Sequence, residues 1–363
     1  MLIFAASSAL GHVSLAATAQ PQPLVPTPTL NVCAKATLPG TFTPAAKLPG
    51  AAQPEFPEAD GADQSEGWVR VGFTINEEGE TKDVVTLDRI GSPAIARAAR
   101  LAVARWKYKP ATQDGQPVAQ FGNVAELVFR WQNVGNTAVH DEVVAKFDEA
   151  RGLMGTAKYA EGIAVLKQTL QMPLTLYEQA KVSFALAFAY EKTKETARAL
   201  AHVRHALIEN GTFLEKPVVP AARRMRMRLE AANGNLIHAA CAPPLPAQDS
   251  FDPTGADLRD TATVIADAKS RLGAPAPLTI SAALLADSAN DDSGVWEHAL
   301  SRTKFRFASV GSGVKVFRMN CTRETSNADV SEAGEWAIPK GAGPCTLRVY
   351  GDAGASFKLT EEW

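Results

Sequence analysis

The stretch whose reading decides the fold is "AARLAVARWKYKPATQDGQPV", residues 98–118. Its first half is Ala, Leu, Val and Arg, all strong or tolerant helix residues. Its second half opens on Trp106-Lys107-Tyr108-Lys109-Pro110, and two aromatics two residues apart point the same way only on a strand. The chain therefore leaves a helix and enters a strand within about one turn. Upstream, "WVRVGFTI" (68–75) sets Val69, Val71, Phe73 and Ile75 on one face and Arg70 and Thr74 on the other, the pattern of a half-buried strand. "NEEGE" supplies a turn with Gly79, and "TKDVVTLDRI" a second strand, so the two form a hairpin. Ser92 and Pro93 start the helix as N-cap and first helical residue, with Ile95, Ala99, Ala102 and Trp106 on one stripe. Downstream, "GNVAELVFRWQ" is a third strand. Ala125, Leu127, Phe129 and Trp131 alternate to the packed side, and Val124, Glu126, Val128 and Arg130 to the other. The order is ββαβ.

The rest of the 363 residues exceeds one typical domain. Apolar residues make up 46% and charged residues 21%, which is globular composition, and the net charge of -2 argues against nucleic-acid binding. Residues 1–19 carry no charged side chain and end on Ala17-Thr18-Ala19, a small-x-small pattern, so they read as a signal peptide, with a retained membrane anchor as the rival reading. Residues 20–54, rich in Pro, Ala and Thr, read as a linker. The ordered ββαβ segment spans 55–133. From 137 to 236 the period becomes helical, with Phe147, Ala150, Leu153, Ile163 and Leu166 in register and breaks near Gly155 and Lys192-Thr193. Residues 237–275 read as a linker with one helix. From 276 to 363, short runs such as "KFRFASV" and "CTLRVYG" between Gly, Pro, Asn and Asp read as an all-β domain. The fold class expected is α+β multidomain.

The ββαβ segment resembles the C-terminal domain of the TonB family. Phe56-Pro57-Glu58-Ala59 stands at its aromatic-Pro-x-x-Ala entry. Gly67, Val69, Val71 and Phe73 match its first strand, Gly79 its hairpin turn and Asp83-Val84 the start of the second strand. Trp106-Lys107-Tyr108-Lys109-Pro110 matches its W-x-[FY]-x-P signature, and Gly115-Gln116-Pro117-Val118 its entry to the last strand. The resemblance covers about 80 residues. It implies structural roles for Gly67, Gly79, Trp106, Tyr108 and Pro110, the aromatics filling the joint between helix and sheet. It implies a periplasmic module that grips an extended peptide, such as a segment of an outer-membrane receptor, by adding it as a strand at the edge of the sheet. Val124, Glu126, Val128 and Arg130 of the last strand are then the candidate partner-binding residues. Family members transmit energy from an anchored inner-membrane complex. Here the domain is near the N-terminus, so a non-enzymatic binding or adaptor role is expected, with an anchored energy transducer for transmembrane transport as the alternative. The helical region is similar to tetratricopeptide repeats, through "GTAKYAEGIAVLKQTL" and "ALAFAYEKTKETARALAHVRHAL".

Other candidates for chemistry read as structural. Cys321 and Cys345 lie in one β-like region and are the expected disulfide of an exported chain; the pairing of Cys33 and Cys241 is open. His202 and His205, three apart on a helix, lack a third ligand nearby in sequence, so no metal site is expected. Asp287, Asp291 and Asp292 lack calcium-loop spacing. Arg223, Arg224, Arg226 and Arg228 read as a solvated basic helix face. No nucleophile elbow, zinc-protease, phosphate-loop or dinucleotide fingerprint occurs, so neither a catalytic site nor a cofactor is expected.

Overall fold

The computed structural model describes residues 38, 40–57, 66–130, 140–242, 256–287, 290–331 and 334–363. Segment 1–19, Cys33, Glu58, Ala59, Trp131 and the side chains of Asp287, Asp291 and Asp292 lie outside the described residues. The chain mixes helices and sheets, with eight α-helices among the described residues.

The first body is built around a three-stranded antiparallel sheet of β3 (Gly67–Ile75), β4 (Thr81–Ile90) and β8 (Gln120–Phe129), in the order β4-β3-β8. Helix α1 (Pro93–Ala104) covers one face. Its Ser92 cap accepts the Ile95 N–H, and the small Ala96, Ala99 and Ala102 let it settle onto Val69, Val71, Phe73 and Ile75. The turn between β3 and β4 needs glycine: Gly79 sits at φ +79°, and a Cβ there would lie 1.9 Å from the Tyr108 carbonyl oxygen. Tyr108 N–H donates to the Gly79 carbonyl at 2.8 Å. Strand β5 (Tyr108–Lys109), with β6 (Ala111–Gln113) and β7 (Gln116–Val118), leads into β8.

Two expectations are corrected here. The stretch 20–54 was expected to be linker throughout, but β1 (Phe42–Thr43) pairs with β6 and β2 (Ala46–Lys47) pairs with β5. Trp106 reaches back to the same stretch: its indole N–H donates to the Ala52 carbonyl at 2.8 Å, and the Lys47 ammonium stands 3.0 Å from its ring centroid. The second correction concerns β3, which is buried on both faces. Trp68, on the side of Arg70, is 4% exposed because it packs with Ile90 into the helical core.

That helical core is made by antiparallel neighbours: α2 (Asp141–Gly155) beside α3 (Tyr159–Thr169), α4 (Leu176–Lys192) beside α5 (Thr196–Ala206), and α6 (Val219–Ala232) beside the short α7 (Leu236–Ala240). Thr175 and Glu178 form a reciprocal capping box at the start of α4, satisfying two otherwise unpaired N–H groups. Leu166, Leu176, Leu186 and Val203 are fully or almost fully buried. The basic segment on α6 is not a solvated face. Arg224 is 1% exposed, whereas Arg228 points to Glu191.

After α8 (Ala256–Gly273) the chain is all strand: β9 (Leu278–Ala283), β10 (Leu285–Asp287), β11 (Asn290–Ala299), β12 (Lys304–Ala308), β13 (Val314–Cys321), β14 (Thr325–Asp329), β15 (Glu335–Ala337), β16 (Cys345–Gly351) and β17 (Ser356–Glu362). They form two antiparallel sheets, β10-β11-β16-β13-β14 and β15-β12-β17-β9. Between them lies an aromatic core of Phe305, Phe307, Phe317 and Phe357 with Trp336 on its flank, ring centroids 5.0–5.9 Å apart. Cys321 and Cys345 face each other on β13 and β16 and are bonded. A buried node ties these sheets to the helices: His298 bonds Asn235 at 3.1 Å and Glu361 at 2.7 Å.

Candidate docking edge and interdomain cleft

Strand β8 lies at one edge of its sheet and pairs only with β3. Its register slips between Phe73 and Ile75, where β8 carries an extra residue and Gly122 takes φ +66°. The Asn123 amide supports this bulge by donating to the carbonyls of Gln120 and Phe73. Just before it, the Phe121 N–H donates to the Thr322 carbonyl at 2.9 Å, so the terminal β-sheets close that end of the edge. From Asn123 to Phe129, no backbone group has a hydrogen-bond partner on the outer side among the described residues.

The four candidate side chains of β8 divide. Val124 is 49% exposed, and Glu126 is exposed with its Oε2 accepting the Trp68 indole N–H at 3.3 Å. Val128 is half-buried and packs on the helical core. Arg130 stands 5.3 Å from the Phe213 ring centroid and 4.0 Å from Glu66. The four therefore differ in setting: Val124 and Glu126 are exposed, whereas Val128 and Arg130 also touch the helical layer. The residues carried over as structural sit at the joint. Gly67 opens β3 and is buried. Trp106 is 7% exposed and meets Phe73 edge-on at 6.2 Å. Tyr108 lies 5.9 Å from Phe73, with Pro110 beside the Gly79 turn.

Next to the edge opens a cleft of about 910 Å³ between the sheet face, α5, α6 and the terminal strands. Its polar lining is paired across long sequence distances. Glu297 of β11 accepts from Arg70 of β3 at 2.5 Å and from Arg348 of β16 at 2.5 Å. Burial pushes the Glu297 carboxyl up, but the two guanidinium groups outweigh it and hold it far below the ordinary range. Arg204 holds Glu230 in the same way, down to about 2 against the upward push of burial. His205 of α5 bonds Asp88 of β4 at 2.9 Å; burial alone would lower this imidazole, and the Asp88 charge raises it. Its neighbour His202 stacks on Tyr190, and burial drives it down to about 3, with Nδ1 shielded and unpaired. The two histidines thus turn to different partners. Sequence reading passed over Trp68, Arg70, Asp88, Glu297 and Arg348. The only local signal was the placement of Arg70 and Asp88 on strands, which says nothing of partners as far as 227 positions away.

With this geometry in place, comparison with known proteins gives two matches. Residues 52–130 match the family model of the Gram-negative bacterial TonB protein C-terminal domain. A 67-residue stretch is 34% identical to Protein TonB of Pseudomonas aeruginosa, covering 18% of this chain and 20% of that protein. The family match is confined to the first body, and the chain spans about a fifth of the curated relative it matches. Among the described residues, no helix is long and apolar enough to cross a membrane.

Proposed function

We propose that the chain is a non-enzymatic, exported interaction protein of the cell envelope that captures an extended segment of a partner as an additional strand on β8. One observation carries this reading: in a segment matching the TonB C-terminal domain, the backbone edge of β8 from Asn123 to Phe129 has no partner among the described residues, beside a sheet face packed by α1. An edge of this length with no proline and no dense charge is normally protected, and an unprotected one suits strand addition. A segment from an outer-membrane receptor fits as partner on the family resemblance, and the periplasm as compartment. The paired helices, read as tetratricopeptide-like repeats, add a rigid wall beside the edge. The test is hydrogen exchange on the full chain with synthetic peptides from the periplasmic segments of outer-membrane receptors. Slowed exchange at the amides of Asn123–Phe129 supports the reading; bound peptide with unchanged exchange there rejects it. The alternative, an anchored energy transducer, requires residues 1–19 to be retained. N-terminal sequencing of the protein from envelope fractions separates the two, because the exported form begins near Gln20.

A further inference from the structure

A strand added to β8 places, beside each β8 residue, a side chain on the same face of the sheet. Glu126 lies opposite Arg70 in the register, and both line the cleft with Trp68. The residue of an incoming strand that pairs with Glu126 therefore stands over the cleft mouth. The other carboxylates well inside the cleft are already paired: Asp88 to His205, Glu230 to Arg204, and Glu297 to Arg70 and Arg348, while Arg226 lines the cleft with no ion pair among the described residues. Among the described lining carboxylates, Glu126 and Glu209 have no cation within ion-pair distance, and of these only Glu126 is on the sheet edge. Its single side-chain partner is the Trp68 indole N–H, which leaves the second carboxylate oxygen to accept a further donor. Val124, two residues away on the same face, is an exposed apolar side chain at 49%. The Phe121 end is already occupied by Thr322, so a docked strand has the seven positions Asn123–Phe129, about 23 Å at ~3.3 Å per residue.

On the strand-addition reading above, we propose that the cleft is the specificity pocket of the edge. The docked segment carries a Lys or Arg that pairs with Glu126 at the cleft mouth, and an apolar residue two positions away that covers Val124. An exposed carboxylate with one oxygen unused and no cation within ion-pair distance favours a cationic side chain there. An acidic side chain at that position would leave two carboxylates side by side without a counter-ion.

The test pans a phage-displayed library of random dodecapeptides on the full chain, the Glu126→Gln variant and the Glu126→Lys variant. Glu126→Gln keeps an acceptor for Trp68 and should melt as wild type. Wild type should enrich peptides with a basic residue and an apolar residue two positions from it. Synthetic copies should slow exchange at the Asn123–Phe129 amides, bind Glu126→Gln about tenfold more weakly, as loss of one charged hydrogen bond requires, and give way to acidic peptides on Glu126→Lys. Peptides that protect those amides but bind Glu126→Gln equally well, or carry no basic residue, overturn the pocket assignment and leave strand addition standing. An absence of enriched peptides, or enriched peptides that protect no amide in Asn123–Phe129, overturns strand addition and the pocket with it.

Discussion

Replacing Glu297 with Ala removes a carboxylate that joins the sheet of the first body to the terminal strands. Its two oxygens take Arg70 at 2.5 Å, and Arg348 through Nε at 2.6 Å and Nη2 at 2.5 Å. The side chains are 23% (Arg70), 22% (Glu297) and 10% (Arg348) exposed, so water reaches the cluster only partly. Deleting one member of a buried ion cluster leaves the remaining charge uncompensated and typically costs about 3–5 kcal/mol. Partial exposure puts the expectation at the low end, about 3 kcal/mol, or a melting point lower by roughly 4 °C in a chain of this size. Arg70→Met alone should cost less, because Arg348 still balances Glu297. The double variant should be milder than the sum of the singles by about 1–2 kcal/mol. Calorimetry with urea titration measures the cycle. Glu297 is depressed in the folded state, so its contribution is present above the ordinary carboxylate pKa and is lost only as pH falls through the lower folded value. The coupling should therefore be unchanged between pH 8 and pH 6. A single-variant cost under about 1 kcal/mol, or strict additivity, would show that the cluster does not hold the two parts together.

Three further outcomes are expected. Trp106→Ala should cost about 3–5 kcal/mol, since the ring is buried against Phe73 and closes over Ala52; an unchanged melting curve refutes its place in the core. Gly79→Ala should destabilise the hairpin by several kcal/mol because the new Cβ meets the Tyr108 carbonyl, and slower exchange of the turn amides than in wild type would contradict this. His202 titrates near 3 when folded and near 6.5 when unfolded, so the unfolded chain binds its proton first and stability falls as pH drops through that window; His205, raised by Asp88, works in the opposite direction. His202→Phe should remove about 2 kcal/mol of the loss between pH 7 and pH 5, and an identical pH profile for variant and wild type would exclude the assignment.

The ββαβ segment was legible because its signals are local. Strand alternation, the Ser92-Pro93 start and the Trp106–Pro110 tetrad each act within a few residues. What the sequence hid is long-range. Arg70 looks like the solvent side of a half-buried strand until Glu297 is folded against it. Trp68, next to it, looks like an outlier rather than a second core contact. Strands of two residues such as Phe42–Thr43 carry no measurable period, so pairing with β6 left no mark in the Pro-rich stretch. Arg224 shows the same limit from the other direction: four arginines in one helical turn and a half resemble a wet surface, yet one of them is wholly enclosed. At the edge, the alternation of β8 separates two faces correctly but cannot tell that helices from later in the chain lie over Val128 and Arg130.

The bond between Phe121 and Thr322 has a mechanical meaning. Thr322 follows Cys321, which is covalently joined to Cys345. A tug on a strand laid along β8 and directed along its axis loads the whole row of hydrogen bonds in shear, which resists far better than peeling them one at a time. Part of that load passes through Phe121 into a cross-linked pair of strands that does not stretch. If β8 takes up a strand as proposed, the grip would have its anchorage on a different sheet from its jaw.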